Sequence, residues 1–209
     1  MIARLTLDQA LDLLGEGRVV AVPTDTVYGV AASLASTGAV ESLFALKLRP
    51  TSVPLPVLVD SIDQIEALGV QLTSRARRLA AAFWPGALTI VVAVPDALAR
   101  RVASATATVG FRIPDDATLR ELLARSGPLA VSSANEHGHA PCHSAEEVRE
   151  ALGSRDELAG VLDDGPRTGE VSSVVDVSGE SWRVLRRGAV AIEDLTRVLG
   201  ESASPGRER

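Results

Sequence analysis

The fold class that the sequence predicts is α/β: a single domain built on a twisted, open, mixed sheet with flanking helices. Three observations carry that expectation. Short apolar runs of strand length alternate with segments of helical period along most of the chain. Some connections are short enough for hairpins while others are long enough for crossovers, which mixes antiparallel with parallel pairing. The 209 residues are 46% hydrophobic, enough for a sizeable core, and no Gly-, Pro- or Ser-rich linker divides them. The domain is expected to cover residues 1–200, and the polar "ESASPGRER" that follows is expected to be a disordered tail over 201–209.

Each element has its own signal. Leu7, Leu11 and Leu14 recur at helical spacing until Gly15 and Gly17 stop the helix, and the β-rich run Arg18 to Val22 follows. Gly38 to Leu46 is a second helix with Val40, Leu43 and Phe44 on one face, closed by Pro50. "PLPVLVD" reads as a short buried strand, Ser61 to Ala67 and Ser74 to Phe83 as helices, and "ALTIVVAVP" as the clearest strand. "TATVGFRIP" is another strand, "DATLRELLARSG" a helix, and "PLAVSSAN" a strand that runs into a polar loop. Ser144 followed by Glu147 marks a capping box at the head of "SAEEVREALG". "SSVVDVS" and "SWRVLRRGAV" suit a β-hairpin, and Ile192 to Leu199 a closing helix. In "FWPGALT", Trp84 is expected to anchor the core while Pro85 and Gly86 make the turn into the next strand.

Composition narrows the function classes. With 21 Lys and Arg against 27 Asp and Glu, the net charge of -6 opposes polyanion binding unless cations are focused in one cleft. Only 3% of residues are aromatic, which disfavours base-stacking platforms. A lone cysteine, Cys142, makes no internal disulfide and fits a reducing cytoplasm. Charge throughout the first 17 residues supports neither a signal peptide nor a membrane span, so the expected location is cytoplasmic.

Chemistry-bearing residues gather where strands end. Thr24 and Thr26 follow Val19 to Val22; Ser132, Ser133 and Asn135 follow Leu129 to Val131; Ser172 and Ser173 precede Val174 and Val175. In open α/β sheets ligands bind beyond strand ends, so these hydroxyls and amides can converge on one cavity, or each can simply cap a turn. Lys47, Arg49, Arg112 and Arg186 can neutralise carboxylate and phosphate, although Lys47 and Arg49 also suit an ordinary helix C-terminus. Arg112, between Val109 and Ile113 in an apolar strand, needs a partner for its charge. Asp25 reads as a brace of its turn, with general base or metal ligand as the other options; Asp163, Asp164 and Gly165 read as a turn. His137, His139 and His143 share one loop without a completing ligand set, so no metal site is expected. Neither a Walker-type phosphate loop nor a Gly-x-Gly-x-x-Gly fingerprint is present.

Seven segments stand in a recognisable order: "VPTDTVYGV", "KLRPTSVPLPVLV", "FWPGALTIVV", "VGFRIPD", "VSSANEHG", "SSVVDVSG" and "VLRRGAV". Their order and spacing resemble the YrdC-like threonylcarbamoyl-adenylate synthases over Leu7 to about Leu199. The resemblance implies a YrdC/RibB-like sheet with a concave cationic cavity. It also implies synthesis of L-threonylcarbamoyl-adenylate and pyrophosphate from L-threonine, bicarbonate and ATP with Mg2+, and use of that product by a tRNA threonylcarbamoyl transferase complex that modifies the adenosine next to the anticodon. Carried onto matching positions, it makes Lys47 and Arg49 catalytic as well as nucleotide-binding, and gives threonine to Thr26, Arg112, Ser132 and Ser172. The nucleotide falls to Val53, Thr108, Ser133, Ala134, Asn135, Cys142 and Arg186, with Val53, Ala134 and Cys142 contributing backbone. The fold also admits a non-catalytic, RNA-binding member with weak RNA contact.

Overall fold

The computed structural model describes residues 2–47, 54–135 and 139–200; Arg49, Val53, His137 and the expected tail 201–209 lie outside the described residues. The chain opens with β1 (Ala3–Leu5) and α1 (Leu7–Gly15), then a hairpin of β2 (Val19–Val22) and β3 (Gly29–Ser33), then α2 (Thr37–Lys47). Next come β4 (Val57–Leu58), α3 (Ile62–Ala67), α4 (Ser74–Phe83), β5 (Leu88–Ala93), α5 (Asp96–Arg101), β6 (Thr108–Arg112) and α6 (Ala117–Ser126). The remainder is β7 (Leu129–Ser133), α7 (Ala145–Leu152), β8 (Leu158–Leu162), the hairpin β9 (Ser173–Asp176) with β10 (Arg183–Arg186), and α8 (Ile192–Leu199).

Local chemistry sets the helix limits. Thr6 and Gln9 form a reciprocal capping box at the head of α1, and Gly17, at φ 76, takes the left-handed turn that releases the chain into β2. Asp116 caps α6 by accepting from the Leu119 N–H at 2.8 Å. The expected box at α7 is half formed: Ser144 accepts from the Glu147 N–H at 3.2 Å, but the Glu147 carboxylate takes the His143 N–H at 2.6 Å instead of that of Ser144.

Among the described residues the sheet has 10 strands in the order β1-β8-β2-β3-β7-β4-β6-β5-β9-β10. Pairing is parallel at β1/β8, β2/β8, β4/β6 and β5/β9 and antiparallel elsewhere, so the sheet is mixed as expected. Sequence patterning does not single out β1, β8 or α5, because elements of 3 to 6 residues carry too few repeats of a period. The apolar run from Val19 to Ser33 is two paired strands, with Val20 opposite Ala31 and Val22 opposite Gly29, and the polar interruption is the hairpin connection.

Alternation along the strands distributes side chains to two faces. One face carries Val19, Ala21, Val30, Ala32, Val57, Ile90, Val92, Val109, Phe111 and Val175, covered by buried residues of α2, α3, α4, α5, α7 and α8. On the other face, Val20, Val22, Ala31, Leu129 and Val131 pack under Ala10 and Leu14 of α1 and Leu119, Leu122 and Leu123 of α6. Those two helices cover only the β1-to-β4 end. Trp84 sits at the edge of the larger cluster, its indole N–H donating to the Leu88 carbonyl at 2.7 Å, while Trp182 is the tryptophan fully inside.

Candidate active site

The uncovered part of the second face is where polar side chains appear at inward positions. Thr89 and Val91 of β5, Thr108, Gly110 and Arg112 of β6, and Val174 and Asp176 of β9 are each two residues apart, so each set points to one side of the sheet. With Thr24, Thr26, Ser132, Ser133, Ser172 and Arg186 they line a cavity of about 1210 Å³. The site is thus built along the pleat of the sheet as much as beyond the strand ends.

Arg112 is 5% exposed and tied down on three sides. Its Nε donates to the Gly86 carbonyl at 2.9 Å, Nη1 to Thr26 Oγ1 at 3.2 Å, and Nη2 to Asp25 Oδ1 at 2.5 Å. Asp25 is therefore the counter-charge that a buried arginine requires, and it braces a residue 87 positions away instead of its own turn. The "FWPG" turn has a site role too, since it supplies the Gly86 acceptor. A guanidinium has five N–H donors. Three are committed here, which leaves one on each Nη, the pair that grips a carboxylate in bidentate fashion.

At the far wall Ser172 and Thr89 exchange a hydroxyl bond of 3.0 Å, and Arg186 donates to both the Ser172 hydroxyl (2.8 Å) and its carbonyl (3.0 Å). Asp176 accepts from the Ser178 N–H and hydroxyl and from two Arg183 nitrogens. Burial works against the Asp176 charge, but the Ser178 bonds and the Arg183 guanidinium outweigh it and hold the carboxyl below its ordinary value.

Behind the near wall, loops are stitched together. Lys47, at the end of α2 and 3% exposed, directs its ammonium at the carbonyl oxygens of Ser133 (2.7 Å) and Asn135. Tyr28 gives its N–H to the Cys142 carbonyl at 2.8 Å, accepts from the Ala134 N–H at 2.8 Å, and donates its hydroxyl to the Gly165 carbonyl at 2.8 Å. One buried residue thereby joins three loops. Burial pushes the Tyr28 phenol above its ordinary value and the Cys142 thiol up to about 11. The segment after Gly165 is held by Arg167, paired with Asp116 at 2.8 Å and Asp164 at 3.0 Å, and comes so close to the Thr24–Tyr28 connection at Gly169 that a Cβ there would lie 2.6 Å from the Asp25 carbonyl oxygen.

Of the residues expected at a site, Thr26, Thr108, Arg112, Ser132, Ser133, Ser172 and Arg186 share the cavity wall. Lys47, Ala134, Asn135 and Cys142 lie behind it, within the stitched loops. Asn135 donates to the His139 carbonyl at 2.7 Å, and His143 Nδ1 lies 3.0 Å from the Arg167 carbonyl, so both described histidine positions serve loop structure. Among the described residues no group of three His, Cys, Asp or Glu side chains could hold a metal ion. Thr89, Asp176 and Arg183 are wall residues that motif reading passes over; for Thr89 and Asp176 the signal is a polar residue at an inward step of an otherwise apolar strand.

An open α/β sheet whose bare face presents a buried arginine, hydroxyls and further cations defines a binding site for a small carboxylated or phosphorylated ligand. The sequence profile of the Sua5, YciO and YrdC proteins, described as "Telomere recombination", matches residues 12–188, and the chain belongs to that family. A Mycobacterium tuberculosis relative is 42% identical over 196 residues, spanning 93% of this chain and 89% of its own. The Bacillus subtilis protein named threonylcarbamoyl-AMP synthase is 39% identical over 195 residues, but this chain spans only 56% of it. The structure of Pyrococcus abyssi Sua5 complexed with L-threonine superposes with a TM-score of 0.86 at 32% identity, over 96% of this chain and 60% of the other. The chain thus covers under two thirds of these last two proteins. No helix among the described residues is long and apolar enough to cross a membrane.

Proposed function

We propose that this protein is an L-threonylcarbamoyladenylate synthase, a nucleotidyltransferase that works in the cytoplasm. The observation that carries the reading is Arg112: a buried guanidinium locked by Asp25, Thr26 and Gly86, with one N–H on each Nη left for a carboxylate. The relatives' names and the L-threonine complex of Pyrococcus abyssi Sua5 support threonine as the owner of that carboxylate.

The chemistry divides along the cavity. A neutral threonine amine attacks bicarbonate, an N–C bond forms, water leaves and a carbamate remains. A carbamate oxygen then attacks the α-phosphorus of ATP, and the bond to the β,γ-diphosphate breaks to release pyrophosphate. Nucleophile and leaving group are both anionic, so the protein's contribution is positioning and electrostatic stabilisation. Arg112, Thr26, Ser132 and Ser172 hold the amino acid. Arg186 and Thr108 lie on the nucleotide side, and Lys47 with Arg49 offsets triphosphate charge, Lys47 also fixing the Ser133–Asn135 loop. Mg2+ is assigned as part of the Mg-ATP substrate, because Asp176, the buried wall carboxylate, is already engaged by Ser178 and Arg183. Two cations of the cavity wall are paired with carboxylates, Arg112 with Asp25 and Arg183 with Asp176, which weighs against the RNA-binding reading. The product would pass to a tRNA threonylcarbamoyl transferase complex.

The test is pyrophosphate release by purified protein given L-threonine, bicarbonate and Mg-ATP, with the adduct identified by mass. Release that persists at full rate when threonine is omitted would sink the proposal.

A further inference from the structure

The connection from α5 to β6 contains two alanines with left-handed backbone, Ala103 at φ 57 and Ala107 at φ 50. Ala103 has a local reason. Its N–H donates to the Arg100 carbonyl at 3.3 Å and the Ser104 N–H to that of Ala99 at 2.8 Å, the paired bonds that close a helix. Ala107 ends no helix. It stands just before Thr108, the first residue of β6, and its carbonyl accepts from the Val94 N–H at 2.9 Å. A Cβ in that backbone region carries a steric cost that glycine would avoid, so the surroundings impose the conformation.

The left-handed step brings two hydroxyls together. Residues two apart in an extended strand are separated by roughly 6–7 Å, and a left-handed residue between them shortens that span. Across Ala107 the hydroxyls of Thr106 and Thr108 meet at 2.8 Å. Both residues line the cavity with Ala105 beside them, and the Leu55 N–H, bonded to the Val102 carbonyl at 3.1 Å, brings Pro54 and Pro56 to the same wall. The pair holds two protons and spends one on itself, whichever way that bond points. Ser104, 3.5 Å from Thr106, is too far to hold the other. One donor and several lone pairs therefore face the cavity from an uncharged stretch of its wall. A phosphate only accepts, whereas a sugar diol both donates and accepts, and its vicinal hydroxyls match the pair in spacing.

We infer that Thr106, held against Thr108 by the left-handed step at Ala107, is a specificity-determining residue for the ribose hydroxyls of the nucleotide. The inference rests on the reading of the protein as an ATP-using synthase with Thr108 on the nucleotide side. Ala107 is a positioning residue in this arrangement: it touches no ligand and acts through the hydroxyl pair. An alanine kept where glycine is easier makes the pair rigid before the ligand arrives, so less ordering entropy opposes binding.

The experiment is calorimetric titration of the full chain with Mg-ATP, with Mg-2′,3′-dideoxy-ATP, which lacks both ribose hydroxyls, and with L-threonine, beside thermal melts. Thr106→Val should weaken Mg-ATP roughly fivefold, the loss of one neutral hydrogen bond, while the dideoxy nucleotide and L-threonine bind as they do to wild type. Thr106→Ser should restore Mg-ATP affinity, since it returns the hydroxyl. Ala107→Gly should raise the melting temperature by about 1–2 °C, because relief of the left-handed Cβ outweighs the chain entropy that glycine adds. It should nevertheless weaken Mg-ATP about threefold, because the hydroxyl pair is no longer held. Equal weakening of ATP and dideoxy-ATP by Thr106→Val would reduce Thr106 to a structural role and overturn the inference, as would no weakening at all. An Ala107→Gly variant that binds Mg-ATP like wild type, or that melts lower, would overturn the part given to the left-handed step. Wild-type protein that melts cooperatively but binds no Mg-ATP would bring down the nucleotide reading itself, an outcome seen without any variant. If Thr106→Val fails to melt cooperatively, Thr106→Ala carries the same comparison.

Discussion

Arg112→Ala removes three protein hydrogen bonds and the two N–H groups offered to the ligand. Two charge-assisted bonds at about 1.5 kcal/mol each or more give about 3 kcal/mol, on the order of a 100-fold rise in the Kd for L-threonine. Titration calorimetry with L-threonine and with Mg-ATP, run separately, should show that loss for threonine and little change for the nucleotide. The variant also strands the Asp25 carboxylate, whose side chain is only 15% exposed, and this should cost about 3 kcal/mol of stability in a denaturant melt. Binding and folding are separated by Asp25→Asn combined with Arg112→Met, which removes both charges. The double variant should recover much of the stability and none of the threonine affinity. Wild-type-like threonine binding by the double variant, or equal loss for threonine and nucleotide in Arg112→Ala, would refute a carboxylate clamp.

Lys47→Ala should collapse turnover and cost about 1–3 kcal/mol of stability, because the Ser133 and Asn135 carbonyls lose their donor; an unchanged rate of pyrophosphate release would remove Lys47 from the mechanism. Gly169→Ala should raise the threonine Kd several-fold, since its Cβ would sit 2.6 Å from the Asp25 carbonyl oxygen and 2.9 Å from Thr26 Cα, whereas Gly15→Ala, at a helical position with nothing within 4 Å, should leave binding unchanged and stabilise the fold by about 0.5–1 kcal/mol. The Cys142 thiol, pushed up to about 11, binds its proton more tightly folded than unfolded; it should therefore destabilise the fold as pH rises from about 9 to 11, by roughly 2–3 kcal/mol, and Cys142→Ala should flatten that part of the stability profile while keeping activity. A wild-type profile that matches Cys142→Ala through that window would contradict the burial argument.

Much of this site is legible in the sequence. Thr26, Thr108, Arg112, Ser132, Ser133, Ser172 and Arg186 were marked by polar chemistry placed against apolar strands and by motif order, and they meet in one cavity. What escaped has a common cause. Thr89 and Asp176 belong to the site only because β5 and β9 pair in parallel beside β6, and nothing near either residue encodes that neighbour. Asp25 reads as a turn brace because its real partner is far along the chain.

The sequence by itself determined every helix but α5 and most strands, down to the bounds of α4 and α8, together with the Ser144 cap and the mixed character of the sheet. Those features rest on interactions between residues within a turn or two of each other, where periodicity and capping groups act directly. Only the tertiary structure decided the order of strands, with β8 inserted between β1 and β2, and the fact that α1 and α6 cover just one end of the second face. That incomplete cover makes the cavity. Long-range packing also turns Arg112 from a buried cation in need of a partner into a guanidinium held by Asp25, Thr26 and Gly86, because a charge inside a fold is defined by what that packing brings against it.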